Sequence, residues 1–404
     1  MRDFLKAALT PQMLVSFLMG FACGLPLLLT ITLLQARMQE AGVDLKVIGL
    51  FSLVGLPYTL KFLWAPVMDR YTPPFLGRRR GWLLVFQILL MVAIAALGFV
   101  EPRADPALCA LCAFFVTFFS ASQDIVVDAY RREDLSNREL GLGSSLYVNG
   151  YRVGMLVAGS GGLILADHIS FGNVYLVMAG LMLVGILTTL WAREPEVAEG
   201  TPTSFREAVI GPFLEYFSRP GALLLLLFIL FYKIGDQMAT TMTMPFYLEL
   251  GFTKTEIGTV VKLFGFWATI SGGLVGGFLM LRLGIYRSLW IFGILQGIST
   301  TGFAILAHLG PSLPGLAGAV AAENFSGGMG TAAYVAFMAA LTNRRFTATQ
   351  YALLSSLMGI PRVLAAAPTG YAVELLGWSP FFIFCALAAI PGLLLLWKVG
   401  PQDE

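Results

Sequence analysis

Charged residues are scarce in this sequence. Asp, Glu, Lys and Arg make up 12% of its 404 residues, whereas an ordinary soluble domain carries about 25%. Recognisable catalytic signatures are also missing, because no H-E-x-x-H, nucleophile elbow or phosphate-binding loop occurs. The scarcity of charge excludes a soluble protein, and the missing signatures leave a membrane-embedded enzyme as a remote alternative only.

Histidine and cysteine are equally rare. The two histidines, His168 and His308, are isolated from one another and predict no metal site. The single C-x-x-C pair has neither a βαβ pattern nor a second pair beside it. We therefore expect no metal, no cofactor and no disulfide framework. The cysteines are interpreted as small residues in helix packing, since all of them lie in apolar stretches: Cys23, Cys109, Cys112 and Cys385.

Long apolar stretches dominate what is present. Hydrophobic residues make up 57% of the chain, and a membrane-spanning helix needs about 20 consecutive apolar residues. Stretches of this kind predict an all-α membrane protein with twelve transmembrane helices. They cover residues 13–35, 47–67, 82–100, 107–129, 140–166, 172–192, 222–248, 255–281, 286–307, 314–340, 348–373 and 379–399.

Basic residues lie mainly on one side of these stretches. Short loops rich in Lys and Arg face the cytoplasm, and the asymmetry predicts that both termini are cytoplasmic. The first apolar run is too long for a signal peptide and lacks a small-x-small cleavage site, so we expect it to be retained as a helix. The predicted external loops carry four basic residues, and the cytoplasmic side carries seventeen: Arg2, Lys6, Arg70, Arg78, Arg79, Arg80, Arg131, Arg132, Arg138, Arg193, Arg206, Arg219, Arg282, Arg287, Arg344, Arg345 and Lys398.

The chain is predicted to consist of two related halves. Ile48-Gly49 recurs as Ile257-Gly258, and Ser144-Ser-Leu146 recurs as Ser355-Ser-Leu357 at a similar separation. Such repeats are typical of transporters built from duplicated bundles. An acidic, proline-containing interruption separates the halves and reads as a linker. We therefore predict two pseudo-symmetric six-helix bundles, 1–192 and 222–404, joined by a cytoplasmic linker, 193–221.

Asp124 and Asp128 stand out because they lie near the end of an otherwise apolar span. An ionisable residue inside a membrane helix is a functional-site hypothesis, and residues four apart share one helix face. We interpret Asp128 as structural, because Arg131 and Arg132 follow it at the membrane edge.

A second charged pair, Lys233 and Asp236, lies near the middle of the seventh predicted span. Their separation of three residues is compatible with a local ion pair and equally with a binding site. Because either would be costly in lipid, we expect the pair to face protein or water.

Buried cations outnumber the clearest intramembrane acids, and this surplus suits a polar, anionic cargo. Arginine binds carboxylates through two parallel hydrogen bonds. A carboxylate that changes its partners between two states could load and release a proton. The candidates for proton coupling are Asp124, then Asp236, then Glu323. Those for substrate binding are Gln35, Gln123, Arg152, Lys233, Gln237, Lys262 and Arg362, and those for gating or structure are Asp69, Arg70, Asp128 and Lys61.

The segment Trp64-Ala-Pro-Val-Met-Asp-Arg70, followed by Gly77-Arg-Arg-Arg-Gly81, resembles motif A of the major facilitator superfamily. Asp69 can lie near the positive N-terminal end of a neighbouring helix, and we expect the arginines of the loop to stay near anionic lipid. The second half has Leu281 at the position of the aspartate. The two halves are therefore predicted to be functionally unequal.

Three segments resemble the AmpG-type muropeptide permeases of that superfamily: Ala121-Ser-Gln-Asp-Ile-Val-Val-Asp-Ala129, Lys61-Phe-Leu-Trp-Ala-Pro-Val-Met-Asp-Arg-Tyr-Thr-Pro-Pro74 and Arg345-Phe-Thr-Ala-Thr-Gln350. The resemblance implies a twelve-helix transporter in a bacterial inner membrane, whose first, fourth, seventh and tenth helices line the cavity. It implies import of anhydro-muropeptides with the proton gradient. The expected partners are a small glycopeptide, protons and lipid, with no nucleic acid, and a monomer is expected.

Three alternatives to this function remain. Eukaryotic acetyl-CoA transporters share a similar Ser-Gln-Asp signature, so another anionic cargo such as acetyl-CoA is the first alternative. A receptor that kept the fold without transporting is, like the membrane-embedded enzyme, a remote one.

Overall fold

The computed structural model describes residues 10–43, 45–196, 204–253, 256–365 and 368–400, and every regular element within these ranges is helical. A linker helix, Phe205–Ser218, follows the sixth of the longer helical segments and precedes the seventh. The twelve longer segments of the described ranges are α1 Pro11–Glu40, α2 45–70, α3 Arg78–Phe99, α4 Pro106–Asp134, α5 140–166, α6 Phe171–Trp191, α7 Ala222–Glu249, α8 Ile257–Leu283, α9 Ile285–Leu309, α10 Leu313–Leu341, α11 Thr347–Leu364 with Thr369–Leu376, and α12 Trp378–Val399.

Eight of these helices in the described ranges are each long and apolar enough to cross a membrane: α1, α3, α4, α6, α7, α8, α9 and α12. The other four, α2, α5, α10 and α11, lie where the sequence predicts the remaining spans. The prediction of an all-α, multi-spanning membrane protein is therefore confirmed.

The α2 segment is less regular than its apolar composition suggests. Instead of one continuous helix, it alternates short α-helical pieces with 3₁₀ turns at Phe51–Gly55 and Lys61–Leu63. Pro57 and Pro66 lie at the first turns of two of these pieces, where a missing N–H is tolerated. The break between them places Lys61 in a 3₁₀ turn rather than in a helix interior.

Helices α1 and α5 approach each other so closely that glycine is required at the contact. A Cβ atom at Gly24 would lie 1.9 Å from the Tyr151 carbonyl oxygen, and one at Gly20 would lie 2.1 Å from that of Tyr147. The contact is equally close from the α5 side, because a Cβ at Gly150 would lie 2.0 Å from the Phe17 carbonyl oxygen. The spacing of Gly20 and Gly24 indicates such a contact from sequence.

We expect Gly24→Ala to destabilise the protein by about 1–3 kcal/mol, because overpacking forces backbone shifts of this cost. Thermal unfolding in detergent measures the effect. Gly180→Ala on α6 is the matched control, since a Cβ there meets nothing within 4 Å and alanine favours helix more than glycine does. Equal melting temperatures for Gly24→Ala and the wild type would contradict the close α1–α5 contact.

The chain divides into two compact units that do not coincide with its two sequence halves. Residues from the second half join unit 1, and residues from the first half join unit 2. Unit 1 comprises the described parts of Met1–Ser136, Leu146–Phe213 and Thr342–Leu353, and unit 2 those of Asn137–Ser145, Leu214–Leu341 and Leu354–Glu404. The division into functional bundles at 1–192 and 222–404 stays a prediction.

Each unit has its own apolar core. In unit 1, α1, α3 and α6 bury leucine, isoleucine and methionine side chains around Leu29, Leu90 and Met178. In unit 2 the core is aromatic, and Phe246 and Phe382 pack with ring centroids 4.8 Å apart.

Candidate functional site

Asp124 and Gln123 form the buried polar centre of α4 in unit 1. Asp124 is 7% exposed and Gln123 is fully buried. The Gln123 amide donates to the Cys23 sulfur at 3.3 Å, and this thiol lies within hydrogen-bonding reach of Asp124. One oxygen of each side chain, Oδ1 of Asp124 and Oε1 of Gln123, has no hydrogen-bond partner among the described residues. Because buried polar atoms are normally paired, these two acceptors are available to a proton, water or ligand.

Two cations lie next to Asp128, one turn further along α4. The Arg131 guanidinium donates to its Oδ1 at 3.1 Å, and the Lys61 ammonium lies 3.9 Å from its Oδ2. Arg131 also lies over the Tyr147 ring, 4.2 Å from its centroid, and donates to the Tyr351 hydroxyl. Asp128 therefore has compensating charge on both sides, which suits a structural role.

Lys61 links the two carboxylates of α4. It acts electrostatically on Asp124 as well as on Asp128, and it is 7% exposed. A single ammonium group can balance only one of two buried carboxylates. Asp128 has Arg131 as a further cation 3.1 Å away, whereas Asp124 forms no ion pair with any described residue. Asp124 is thus the acid of this cluster with the weaker compensation.

Aromatic side chains complete this centre, and the sequence does not reveal their role. The Tyr58 hydroxyl donates to Ser120 at 2.9 Å, and the Trp64 indole donates to Ser122 at 2.9 Å. Both bonds join α2 to α4. The position of Trp64 in the segment that resembles the AmpG-type permeases is the signal that could have drawn attention to it, because aromatic residues as such are common throughout this chain.

Unit 2 contains a second buried polar centre, in which Lys233 is the cation. Lys233 lies at the break in α7, with its Nζ 3.3 Å from Asp236 Oδ2 and 2.9 Å from Gln296 Oε1. A Cβ at Gly330 of α10 would lie 2.8 Å from the same Gln296 oxygen. The close approach of α10 therefore fixes the amide that holds Lys233.

Glu323 of α10 is the acid at the other end of this centre. Ser299 donates to its Oε2 at 2.6 Å, and Thr300 donates to both carboxylate oxygens at 3.1 and 3.2 Å. Asp236 and Lys233 act on it electrostatically. Helix α9 supplies both hydroxyls and Gln296, a contribution that the sequence analysis missed although the three residues share one helix face.

No described contact joins Gln35, Gln237 or Lys262, three other predicted binding residues, to these two centres. Gln35 and Lys262 are exposed, and Gln237 and Arg152 are half-buried. Arg362 lies on α11, and its side chain falls outside the part that the structure describes. Within the described ranges, no group of three or more His, Cys, Asp or Glu side chains is placed to hold a metal ion.

A third charged cluster lies where α2 ends and α3 begins. Arg79 is fully buried and donates to Asp69 at 2.9 Å and to Glu133 through Nε, also at 2.9 Å. Arg78 donates to the same glutamate at 3.1 Å. The expectation that these arginines stay near anionic lipid is therefore wrong for Arg78 and Arg79, whose charge is neutralised by buried carboxylates. Both belong to the first turn of α3.

Asp69 also bonds the first turn of α11, which belongs to unit 1. Its carboxylate accepts from the backbone N–H groups of Ala348 and Thr349 at 3.2 and 2.8 Å, and from the Thr349 hydroxyl at 2.8 Å. The first N–H groups of a helix lack intrahelical partners and carry partial positive charge. One carboxylate thus joins the end of α2 to α3 and α11. Arg70 is half-buried and lies over the Tyr71 ring.

Buried charged side chains inside apolar helices are features of a polytopic membrane transport protein. The family model of the Major Facilitator Superfamily matches residues 12–322, and the chain belongs to this superfamily.

Within the superfamily, the chain is 48% identical to the anhydromuropeptide permease of Escherichia coli strain K12 over 396 residues. The match covers 98% of this chain and 81% of the permease. The resemblance to the AmpG-type permeases is thereby confirmed.

Solved structures show the same fold at much lower sequence identity. The fucose:proton symporter of E. coli aligns with a TM-score of 0.75 at 11% identity, covering 98% of this chain and all of that structure. The proton:xylose symporter XylE aligns with a TM-score of 0.72 at 10% identity, over 98% of this chain and 96% of that one. The predicted major facilitator fold is confirmed.

Proposed function

We propose that this protein imports anhydro-muropeptides from the periplasm to the cytoplasm, driven by protons and by alternating access. The similarity to the anhydromuropeptide permease, which extends over 98% of the chain, is the observation that carries the proposal. The protein acts in a bacterial inner membrane, with both termini in the cytoplasm, as the distribution of Lys and Arg indicates. It works as a monomer surrounded by lipid.

The two polar centres have the chemistry that such a cargo needs. A muropeptide presents sugar hydroxyls, amides and peptide carboxylates. In unit 1, Gln123 and Asp124 offer buried acceptors for hydroxyl and amide donors. In unit 2, Lys233 offers a buried cation whose present partners are Asp236 and an uncharged amide. Arg152, Lys262 and Arg362 stay predicted binding residues for the anionic groups of the cargo.

Asp124 is the acid that we assign to proton coupling. A coupling carboxylate must be stable in both charge states, and a proton is accommodated most easily on an oxygen that accepts no other hydrogen bond. Oδ1 of Asp124 is such an oxygen among the described residues, whereas both oxygens of Glu323 already accept from hydroxyl groups. Asp236 and Glu323 remain the second and third candidates.

Uptake by proteoliposomes tests the proposed function. We expect labelled anhydro-muropeptide to accumulate above its external concentration when the outside is acidic, and a protonophore to reduce this to equilibration. Empty liposomes and labelled acetyl-CoA are the controls. Accumulation of acetyl-CoA but not of muropeptide would show that acetyl-CoA is the cargo. Uptake that is unchanged by the pH gradient and by the protonophore would contradict proton coupling.

A further inference from the structure

Lys233 occupies a break in α7 that α10 stabilises. The first helical piece of α7 ends at Phe231, the second begins at Ile234, and Lys233 lies between them. In a continuous α-helix the Ile229 carbonyl oxygen would accept from the N–H group of residue 233. Here it accepts from the Tyr334 hydroxyl of α10. Helix α10 thus supplies a partner for a carbonyl group at the break, and this contact holds the Lys233 backbone in place.

The side-chain amide of Gln296 on α9 holds the Lys233 ammonium and retains a donor of its own. Its Oε1 accepts from Lys233 Nζ at 2.9 Å, a shorter contact than the 3.3 Å from Nζ to Asp236 Oδ2. Its Nε2 is buried and has no hydrogen-bond partner among the described residues. Because buried polar atoms are normally paired, the Nε2 donor indicates an acceptor that the described residues do not supply.

One face of α10 approaches both nitrogen atoms without placing a side chain over them. Gly327, Gly330 and Tyr334 follow one another at i, i+3 and i+7, so they lie on one side of the helix. A Cβ at Gly327 would lie 3.5 Å from Gln296 Nε2. One at Gly330 would lie 3.6 Å from Lys233 Nζ. The two glycines therefore leave the donors of Gln296 and Lys233 uncovered on the α10 side.

We propose that Lys233 Nζ and Gln296 Nε2 form a two-donor subsite for one carboxylate group of the cargo. The ammonium has three donors, of which Asp236 and Gln296 take one each. Nε2 is bonded to the same carbon atom as the Oε1 that holds Lys233, so one carboxylate can accept from both nitrogen atoms through its two oxygens. Hydrogen bonds to a charged group are about twice as strong as neutral ones. The inference rests on the proposed function, because it assigns the subsite to a transported cargo.

Asp236 is the group that the cargo carboxylate displaces. Its contact with Lys233 is the longer of the two, and its side chain is 20% exposed against 9% for that of Lys233. Asp236 can therefore turn toward water while Gln296 keeps the ammonium in position. The exchange replaces one carboxylate by another at Nζ, so the ammonium remains compensated. Glu323 is bound by hydroxyl groups of α9 instead.

Two forms of the cargo test this subsite in proteoliposomes: a labelled anhydro-muropeptide, and the same compound with its peptide carboxylates converted to amides. For the wild type we expect the amide form to have a KM about tenfold above that of the acid form, the effect of losing one hydrogen bond to a charged group. Gln296→Leu should raise the KM of the acid form by a similar factor, with little change in the maximal rate or in the KM of the amide form. Gln87→Leu is the matched control and should keep the wild-type ratio, because Gln87 is a fully buried glutamine of unit 1 whose described partners are Met19 and Thr189.

Gln296→Glu separates binding from folding, since it has nearly the same shape and can still accept from Lys233. Its negative charge should raise the KM of the acid form more than Gln296→Leu does, and should affect the amide form less. An equal rise in KM for both forms of the cargo, in both Gln296 variants, would overturn the proposal, because Gln296 would then support only the packing of α9.

A binding measurement reads the subsite without transport. An N-acetyl dipeptide with a free carboxylate should raise the melting temperature of the wild type in detergent, whereas its amide should not. Gln296→Leu should respond to neither, and Gln87→Leu should respond as the wild type does. Equal shifts of the wild type and Gln296→Leu with the free acid would overturn the subsite. A wild type that binds the dipeptide acid but takes up no muropeptide would contradict the proposed function alone.

Discussion

Asp124→Asn is expected to abolish proton-driven accumulation of muropeptide while leaving passive exchange intact. Asparagine has nearly the same shape and can still accept at the oxygen that faces Cys23, but it cannot bind and release a proton. One unit of pH corresponds to about 1.36 kcal/mol. A transporter that couples one proton to one cargo therefore reaches about a tenfold concentration ratio across a one-unit gradient, since about 1.4 kcal/mol is a factor of ten. The variant should equilibrate at a ratio of one.

Counterflow in the same proteoliposomes is the internal control for this experiment. Preloaded unlabelled cargo should still exchange with external label, because exchange needs binding and alternating access but no net proton movement. Glu323→Gln serves as the matched control in unit 2, and we expect it to retain the tenfold ratio. If Asp124→Asn accumulates cargo normally and Glu323→Gln does not, the coupling role belongs to the unit 2 centre.

The existence of these two centres could be predicted from sequence, but their composition could not. Asp124, Lys233 and Glu323 stand out because a charge inside an apolar span is costly. Ser299, Thr300 and Gln296 do not, because hydroxyl and amide side chains are tolerated in membrane helices, where a hydroxyl can bond the preceding turn. The hydroxyl oxygens of Ser299 and Thr300 both lie 2.9 Å from the Gln296 carbonyl oxygen, so this carbonyl competes with the Glu323 carboxylate for the single proton of each hydroxyl.

The helical spans of the fold could also be predicted from sequence, but the irregular turns within them could not. Apolar length located the twelve spans, since a continuous run of about 20 residues has few other solutions. Irregular turns such as the π-helical stretches Leu29–Leu33 and Ile257–Phe264 were not foreseen, because they leave the apolar composition unchanged. The grouping of Thr342–Leu353 with unit 1 was also missed, since its contacts, such as those of Ala348 and Thr349 with Asp69, join residues that are distant in sequence.

The arginines at the start of α3 show that one sequence pattern is compatible with two environments, a lipid-facing loop and a buried ion-pair network. An arginine run at the inner end of a helix pair suits a lipid-facing loop, and the charge count alone does not distinguish that arrangement from a buried network. The deciding partner is Glu133, which lies at the end of α4 and is remote in sequence from Arg79. With Asp69 and Glu133 both buried, the arginine is their common counter-charge.

Arg79→Met is expected to destabilise the protein by about 3–5 kcal/mol, the usual cost of removing one member of a buried ion pair. Methionine keeps much of the volume but leaves Asp69 and Glu133 without the guanidinium that both carboxylates contact at present. Thermal or denaturant unfolding in detergent measures the loss. Arg80→Met is the matched control, because among the described residues the Arg80 side chain donates to the Thr189 and Leu190 carbonyl oxygens and to no carboxylate. We expect it to cost about 1 kcal/mol.

A second substitution separates lost charge compensation from lost packing. Glu133→Gln removes one buried charge, so Arg79→Met combined with Glu133→Gln should be more stable than Arg79→Met alone, although Arg78 then loses its carboxylate partner. The coupling energy of this double-mutant cycle should lie within about 0.5–3 kcal/mol, the range measured for residues in one network. Additive effects of the two substitutions would show that the charges of Arg79 and Glu133 act independently, and the structural assignment of this network would then fail. Positive coupling would establish that buried ion pairing, rather than attraction to lipid, holds the start of α3 against α4.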